Sequence, residues 1–330
     1  MDVAPEQVVV TAGASQALLL ASLALIEPGS SAVLFDPLLP AVPRARADGR
    51  GPRRVRAPAG RGRPPARPRA PGGEPRRQHP RPLPQLAERH DLLVVSDEVY
   101  RDLTYDGGPA PSILSVPGMD ERTIVVDSFS KRLAMCGWRL GFAVAPPAVA
   151  RRLEALLFVG AICAPSFVQQ AGLEALRSPL SAAAPARMHD ELDARRHVML
   201  RGLAEIPGVR CSPPGGAFFA FPDIRQSGLG DRELAGRLLL DRGVAVLPGL
   251  MFGAGGAGHL RLSYAGSVAE IEEGVRGLRL QLGQRPHRRP RRPLWGRTAL
   301  LEAFEHQGVR RAVRPLLEAS CTHQVIARIV

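Results

Sequence analysis

The chain has 330 residues, of which 45% are hydrophobic, enough to bury a large core and to form more than one domain. Its longest apolar runs, such as residues 17–26, are too short to cross a bilayer. The N-terminal residues 1–2 are not followed by the basic region that begins a signal peptide, so we expect none. Four cysteines stand without metal or disulfide spacing, which suits a reducing compartment. We therefore expect a cytoplasmic protein with no membrane partner and no metal site.

The formal net charge of +13 is unevenly distributed. Residues 37–90 hold 14 arginines against three acids, residues 283–330 hold 10 arginines against three acids, and the remainder is mildly acidic. Residues 38–84 are almost wholly Arg, Pro, Ala and Gly, so they are predicted to be disordered or to result from a frame shift. No aromatic residues interleave with these arginines to stack on bases, so we expect no nucleic-acid partner. A basic-arm binding protein is the alternative.

Strand and helix patterns alternate along the rest of the chain and predict an α/β fold. Residues 8–10 are β-branched and predict a strand, and a turn of small residues at 11–16 leads into an apolar helix at 17–26. Such a turn lets backbone N–H groups and a helix N-terminus hold a phosphate. A second strand is predicted at 32–35.

The later elements follow the same alternation. Further strands are predicted at 92–96, 123–127, 142–144, 209–211, 217–221, 244–247 and 259–263. Helices are predicted at 148–158, 169–176, 188–203, 232–242 and 270–282, with a helix-like stretch at 298–317. We divide the chain into a large domain at 1–185, a small C-terminal domain at 186–282 and a basic tail at 283–330.

Lys131 is the only lysine, and the other 43 of the 44 basic residues are arginine. Arginine serves for surface charge and ion pairs, so a solitary lysine indicates amine chemistry such as attack on a carbonyl. Ser128 and Ser130 precede the lysine and Arg139 follows it, which places hydroxyl donors and a phosphate-binding guanidinium near one amine.

The segments 128–131, Ser-Phe-Ser-Lys, and 137–141, Gly-Trp-Arg-Leu-Gly, resemble the cofactor-lysine motif of class I/II aminotransferases. These are pyridoxal-phosphate (PLP) enzymes of fold type I. The resemblance implies a large domain with a mostly parallel, seven-stranded sheet flanked by helices, and a smaller α+β C-terminal domain. It also implies a homodimer that moves an amino group between an L-amino acid and a 2-oxo acid through a Schiff base on Lys131.

The resemblance also assigns roles to residues of this chain. Asp97, at the end of a predicted strand, matches the acid that bonds the pyridine nitrogen, and Tyr100 matches the phenol that bonds the ring oxygen. Arg261 matches the arginine that binds the substrate carboxylate, and Phe218 matches a residue of the substrate pocket. The residues matched to phosphate binding are Gly13, Ala14, Ser15, Ser128, Ser130 and Arg139.

Three features depart from the family pattern. The chain contains no asparagine, although the family uses one to contact the cofactor. Leu38 and Leu39 stand where an aromatic ring is expected, and the chain begins at the first cofactor loop, so we expect an N-terminal truncation. Two alternatives therefore stay open: another PLP enzyme of this fold, such as a β-lyase or decarboxylase, or an inactive truncated or frame-shifted fragment.

Overall fold

The structure is a computed structural model that describes residues 3–27, 32–34, 83–283 and 326–329. The helices are α1 (Ala14–Leu25), α2 (Leu83–Arg89), α3 (Phe129–Arg132), α4 (Pro147–Ala161), α5 (Ser166–Arg177), α6 (Pro179–Ala204), α7 (Asp231–Arg242) and α8 (Val268–Gly283). The strands are β1 (Val8–Thr11), β2 (Ala32–Leu34), β3 (Leu93–Asp97), β4 (Thr123–Ser128), β5 (Gly141–Val144), β6 (Phe219–Ala220), β7 (Leu247–Pro248), β8 (Leu260–Ser263) and β9 (Ile326–Ile329). Our prediction for 298–317 falls outside the described residues, as does that for 38–84 except at residues 83–84, which begin α2 and are therefore ordered.

The larger sheet has the strand order β1-β5-β4-β3-β9-β2. It confirms the α/β class, but it is mixed and has six strands within the described residues, where we expected seven, mostly parallel. β3 and β4 pair in parallel, whereas β5 is antiparallel to β1 and β4, and β9 is antiparallel to β3 and β2. β5 reverses direction because the connection from β4 contains only one helical turn and a 3₁₀ turn, too little for a crossover.

Helices α1 and α4 pack together against β1, β4 and β5. α1 buries a face of small and branched residues, including Ala17, Leu20, Ala21 and Ala24, so its backbone lies close to the sheet. Leu153 of α4 is fully buried in the same core. This packing fixes the N-terminus of α1 beside the ends of β1 and β5.

A second, three-stranded antiparallel sheet has the order β6-β8-β7. Three predicted strands are shorter here than expected, and of the strand predicted at 217–221 only Phe219–Ala220 forms. Residues 209–211 contribute only a single bridge between Arg210 and Asp223. Residues 244–246 are not a strand because α7 ends in a Gly243 cap with φ of +66°, where the Val244 N–H bonds the Leu238 carbonyl.

Arg196 of α6 joins the two sheet regions. Its guanidinium is almost fully buried, bonds Asp193 at 2.7 Å and Asp106 at 3.2 Å, and donates to the Pro214 carbonyl at 3.0 Å. The Tyr105 ring lies 4.3 Å from its central carbon. α6 runs through our boundary at residues 185 and 186 without a break, and the division into domains stays a prediction. Within the described residues, no helix is both long and apolar enough to span a membrane.

Candidate active site

Asp97 and Lys131 lie at the same edge of the larger sheet. Asp97 ends β3, and Lys131 lies three residues beyond β4, whose parallel pairing with β3 sets Asp97 opposite Val126. The carboxyl ends of neighbouring parallel strands meet at one edge, where α/β folds bind ligands. Both side chains are buried, with 6% of Asp97 and 3% of Lys131 exposed.

Within the described residues, only one of the two Asp97 carboxylate oxygens has a hydrogen-bond partner. One oxygen accepts a hydrogen bond from the Val99 N–H at 3.2 Å, and the other, Oδ2, is buried with no hydrogen-bond partner among the described residues. Burial raises the pKa of Asp97 well above its usual value, the charges of Asp127 and Glu98 add to this, and Lys131 opposes it. Since an unsatisfied buried oxygen is costly, the site suits a ligand that brings a positively charged N–H donor.

Lys131 sits in the single turn of α3, which begins at Ser128. The Ser128 hydroxyl caps this turn by accepting from the Ser130 N–H at 3.3 Å, and both serines are buried. The Lys131 ammonium donates to Cys136 Sγ at 3.7 Å and lies 5.4 Å from the centre of the Phe218 ring. The amine is therefore held inside the protein, facing Phe218.

Gly13, Ala14, Ser15 and Arg139 lie together at the N-terminus of α1, and we call this cluster the anion cradle. The Arg139 guanidinium reaches over Gly13 and donates to the Ala12 carbonyl at 3.5 Å. A Cβ on Gly13 would come within 2.5 Å of that guanidinium, and the φ of +84° also favours glycine. Ala14 and Ser15 begin α1, where backbone N–H groups are free of helical bonds. A guanidinium at a helix N-terminus is a phosphate-binding arrangement.

Arg261 on β8 lies between two aromatic rings. Its central carbon is 4.5 Å from the Phe219 ring and 4.7 Å from the Phe252 ring. Burial lowers the pKa of Arg261 to about 10, and Tyr100 partly offsets this. Tyr100 in turn meets Phe218 edge to face at 5.5 Å. A planar guanidinium is the group that suits bidentate binding of a carboxylate.

These contacts link most of the predicted site residues. The Lys131 amine lies 5.4 Å from the Phe218 ring, and the Phe218 ring lies 5.5 Å from that of Tyr100. Electrostatic influence on pKa values links Lys131 to Asp97 and Tyr100 to Arg261. The roles of these residues, and of those in the cradle, stay predictions. Sequence reasoning missed Cys136 beside the amine, and Phe219 and Phe252 beside Arg261. Only Phe219 carried a signal, because it follows Phe218 directly in the sequence.

Known proteins are similar to this chain in sequence and in fold. The profile of the family described as aminotransferase class I and II matches residues 72–278. A putative aminotransferase, YugH of Bacillus subtilis, is 35% identical over 289 residues, covering 82% of this chain and 74% of the relative. An aspartate aminotransferase of Pyrococcus abyssi is 42% identical over 189 residues, covering 57% of this chain and 48% of the relative. The chain thus spans about half the length of several such relatives.

Solved structures agree with these sequences. The crystal structure of an aromatic aminotransferase from Pyrococcus horikoshii superposes with a TM-score of 0.73 at 32% identity, covering 84% of this chain and 79% of that one. A mutant aspartate aminotransferase of Thermus thermophilus gives 0.70 at 28% identity, covering 85% and 81%. The chain has the fold type I architecture of amino-group transferases. It belongs to the class I and II aminotransferase family.

Proposed function

We propose that this chain transfers the amino group of an L-amino acid to a 2-oxo acid, with PLP bound at Lys131, in the cytoplasm. The observation that carries the proposal is a single buried lysine beside an acid whose Oδ2 has no hydrogen-bond partner in the described chain. An aldehyde ligand with a basic ring nitrogen satisfies both groups, because the amine binds the aldehyde carbon and the acid accepts from the ring N–H.

The residues around Lys131 fit the parts of this cofactor. PLP, when bound, supplies an electron sink for the negative charge that develops at the substrate Cα. Asp97 would keep a proton on the ring nitrogen, and Tyr100 would bond the ring oxygen. The phosphate would be bound by Gly13, Ala14, Ser15, Ser128, Ser130 and Arg139, which form or adjoin the cradle.

The substrate would be held by groups from the second sheet. Arg261 would bind the substrate carboxylate through two parallel N–H bonds, and Phe218 would cover the side of the pocket next to the amine. The Lys131 amine would then act as the base that takes the proton from the substrate Cα. Phe218, whose ring lies 5.4 Å from the amine, would also help to exclude water from this transfer.

Trapping with a reductant tests the proposal. The purified chain is mixed with PLP, treated with borohydride and digested, and peptides are identified by mass spectrometry. We expect cofactor mass on the peptide with Lys131 and a near-visible absorbance band before reduction. Lys131→Arg is the matched control and should give neither. If the wild-type chain shows no band and no labelled lysine, the proposal is wrong.

A transamination assay tests the reaction itself. An amino acid and 2-oxoglutarate are supplied together, and glutamate is measured. Glutamate that depends on both substrates and on Lys131 supports amino transfer. Release of ammonia or carbon dioxide without glutamate would instead identify a lyase or a decarboxylase on the same site.

We propose further that the chain acts as a homodimer. The end of α4 and the start of α5 expose large apolar side chains, with Val159 86% and Phe167 71% accessible, beside Phe158 and Ile162. Exposed apolar residues in one patch indicate an interaction surface. Sedimentation should show a dimer for the wild type and a monomer for Phe167→Asp, while Leu280→Asp, at an exposed site on α8, leaves the dimer intact. A wild-type monomer at micromolar concentration would contradict this.

A further inference from the structure

Cys136 contacts the reactive amine with its side chain. Its Sγ lies 3.7 Å from Lys131 Nζ and donates to the Ser130 carbonyl at 3.0 Å. The thiol is therefore anchored to the backbone of the same turn that carries the lysine. Since Lys131 is almost fully buried, the sulfur supplies an acceptor for an ammonium group that water scarcely reaches.

The same residue contacts the Arg139 guanidinium with its backbone. The Cys136 carbonyl accepts from Arg139 Nη1 at 2.9 Å, while Nη2 reaches the Ala12 carbonyl at 3.5 Å beside Gly13. Arg139 itself has a φ of +56°, a left-handed conformation that turns its side chain back over the 3₁₀ turn of Cys136–Trp138. One residue thus contacts both the amine and the guanidinium.

We infer that Cys136 is a positioning residue that fixes the separation between the Lys131 amine and the Arg139 guanidinium. The inference rests on the proposed function, because that separation is the distance between an aldehyde-binding group and a phosphate-binding group. A ligand that carries both an aldehyde and a phosphate binds well only when the protein groups that bind them already have the matching separation. The Cys136 thiol contacts the amine, and the Cys136 carbonyl contacts the guanidinium. A substitution of the side chain therefore alters only the position of the amine.

The solitary lysine allows this to be measured without cofactor. Formaldehyde and cyanoborohydride methylate amines, and peptide mass spectrometry separates Lys131 from the terminal amine. For Cys136→Ala we expect Lys131 methylation at least fivefold faster, because the amine has lost the thiol contact that holds it in place. We also expect at least tenfold weaker PLP binding by absorbance titration. Cys163→Ala, at an exposed thiol, is the matched control and should leave both values unchanged.

Cys136→Ser separates positioning from simple packing. A serine hydroxyl can donate to the Ser130 carbonyl and accept from the amine, so we expect it to restore the methylation rate to within twofold and most of the PLP affinity. The inference is overturned if Cys136→Ala has the methylation rate and PLP affinity of the wild type. It is also overturned if the serine and alanine variants depart equally from the wild type in both values. Failure of the wild type to bind PLP would instead refute the proposed function, because the methylation rates are measured without the cofactor.

Discussion

Tyr105 and Tyr264 donate hydrogen bonds to the same atom, the carbonyl oxygen of Ala217, at 2.6 and 3.2 Å. Tyr105 follows β3 in the larger sheet region, and Tyr264 follows β8 in the smaller one. Ala217 has a φ of +60° and directly precedes Phe218, the residue that faces the Lys131 amine. The two phenols therefore fix the turn that presents Phe218 to the pocket.

Removal of these hydroxyls should show that they act together. We expect Tyr105→Phe or Tyr264→Phe alone to lower the free energy of unfolding by about 1 kcal/mol, since the carbonyl keeps one donor. The double variant should lose about 1 kcal/mol more than the sum, because both donors to the carbonyl are then missing. Urea denaturation measures all three. The exposed Ser115→Ala variant is the control and should change stability by less than about 0.5 kcal/mol.

Gly13→Ala should damage the anion cradle. The new Cβ would meet the Arg139 guanidinium at 2.5 Å, and the Gly13 backbone, with φ of +84° and ψ of 166°, is a conformation reserved for glycine. We expect a loss of about 1–3 kcal/mol in stability and at least tenfold weaker PLP binding. Gly137→Ala is the control, since its Cβ would meet nothing within 4 Å. Equal PLP affinity for the two variants would contradict this account of the cradle.

The buried carboxyl group of Asp127 should make the free energy of unfolding depend on pH. Burial raises its pKa to about 6, so between about pH 4 and 6 the folded chain holds a proton that the unfolded chain has released. The free energy of unfolding therefore falls as the pH rises through this range. Asp127→Asn keeps the oxygen that accepts from the Ser128 N–H and removes the charge. We expect it to gain about 3 kcal/mol over the wild type at pH 7 and nothing below pH 4.

Denaturation of wild type and variant in urea at a series of pH values measures this difference. Carboxylates that do not interact with Asp127 titrate equally in both chains and cancel in the comparison, whereas Asp97 does not, because the charge of Asp127 raises its pKa. A gain that is the same at pH 4 and pH 7 would show that the charge of Asp127 is not its origin.

Arg261→Lys should weaken recognition of the substrate carboxylate. Lysine keeps the charge but loses both the parallel N–H pair and the flat contact with Phe219 and Phe252. We expect kcat/KM for amino acids to fall by about 10–100-fold, the cost of one charged hydrogen bond. Reaction with an amine that lacks a carboxylate should be unchanged, and Arg210→Lys, at an exposed position, should behave as the wild type.

The sequence predicted the parts of the site that depend on local order. Strand ends place Asp97 and Lys131 at one sheet edge, and the strand–turn–helix pattern places Gly13 at a helix start, so short motifs were sufficient. The strand predicted at 244–247 begins only at Leu247, for an equally local reason. Its β-branched residues favoured a strand, but Gly243 extended the cap of α7 into them.

Contacts between distant segments could not be predicted. Arg139 lies over Gly13 because β5 inserts between β1 and β4. The local sequences around Gly13 and Arg139 do not indicate this strand order. The carbonyl of Ala217 meets Tyr105 across 112 positions of the chain. Such contacts depend on how the layers pack, and the periodicity of a single element holds no information about them.

The buried guanidinium of Arg196 limits how the two sheet regions can move. Its acidic and aromatic partners come from both regions, so drawing them apart would leave a dehydrated cation between them. Any movement between the two regions that keeps this cation paired must therefore keep Arg196 within reach of Asp106 and Tyr105.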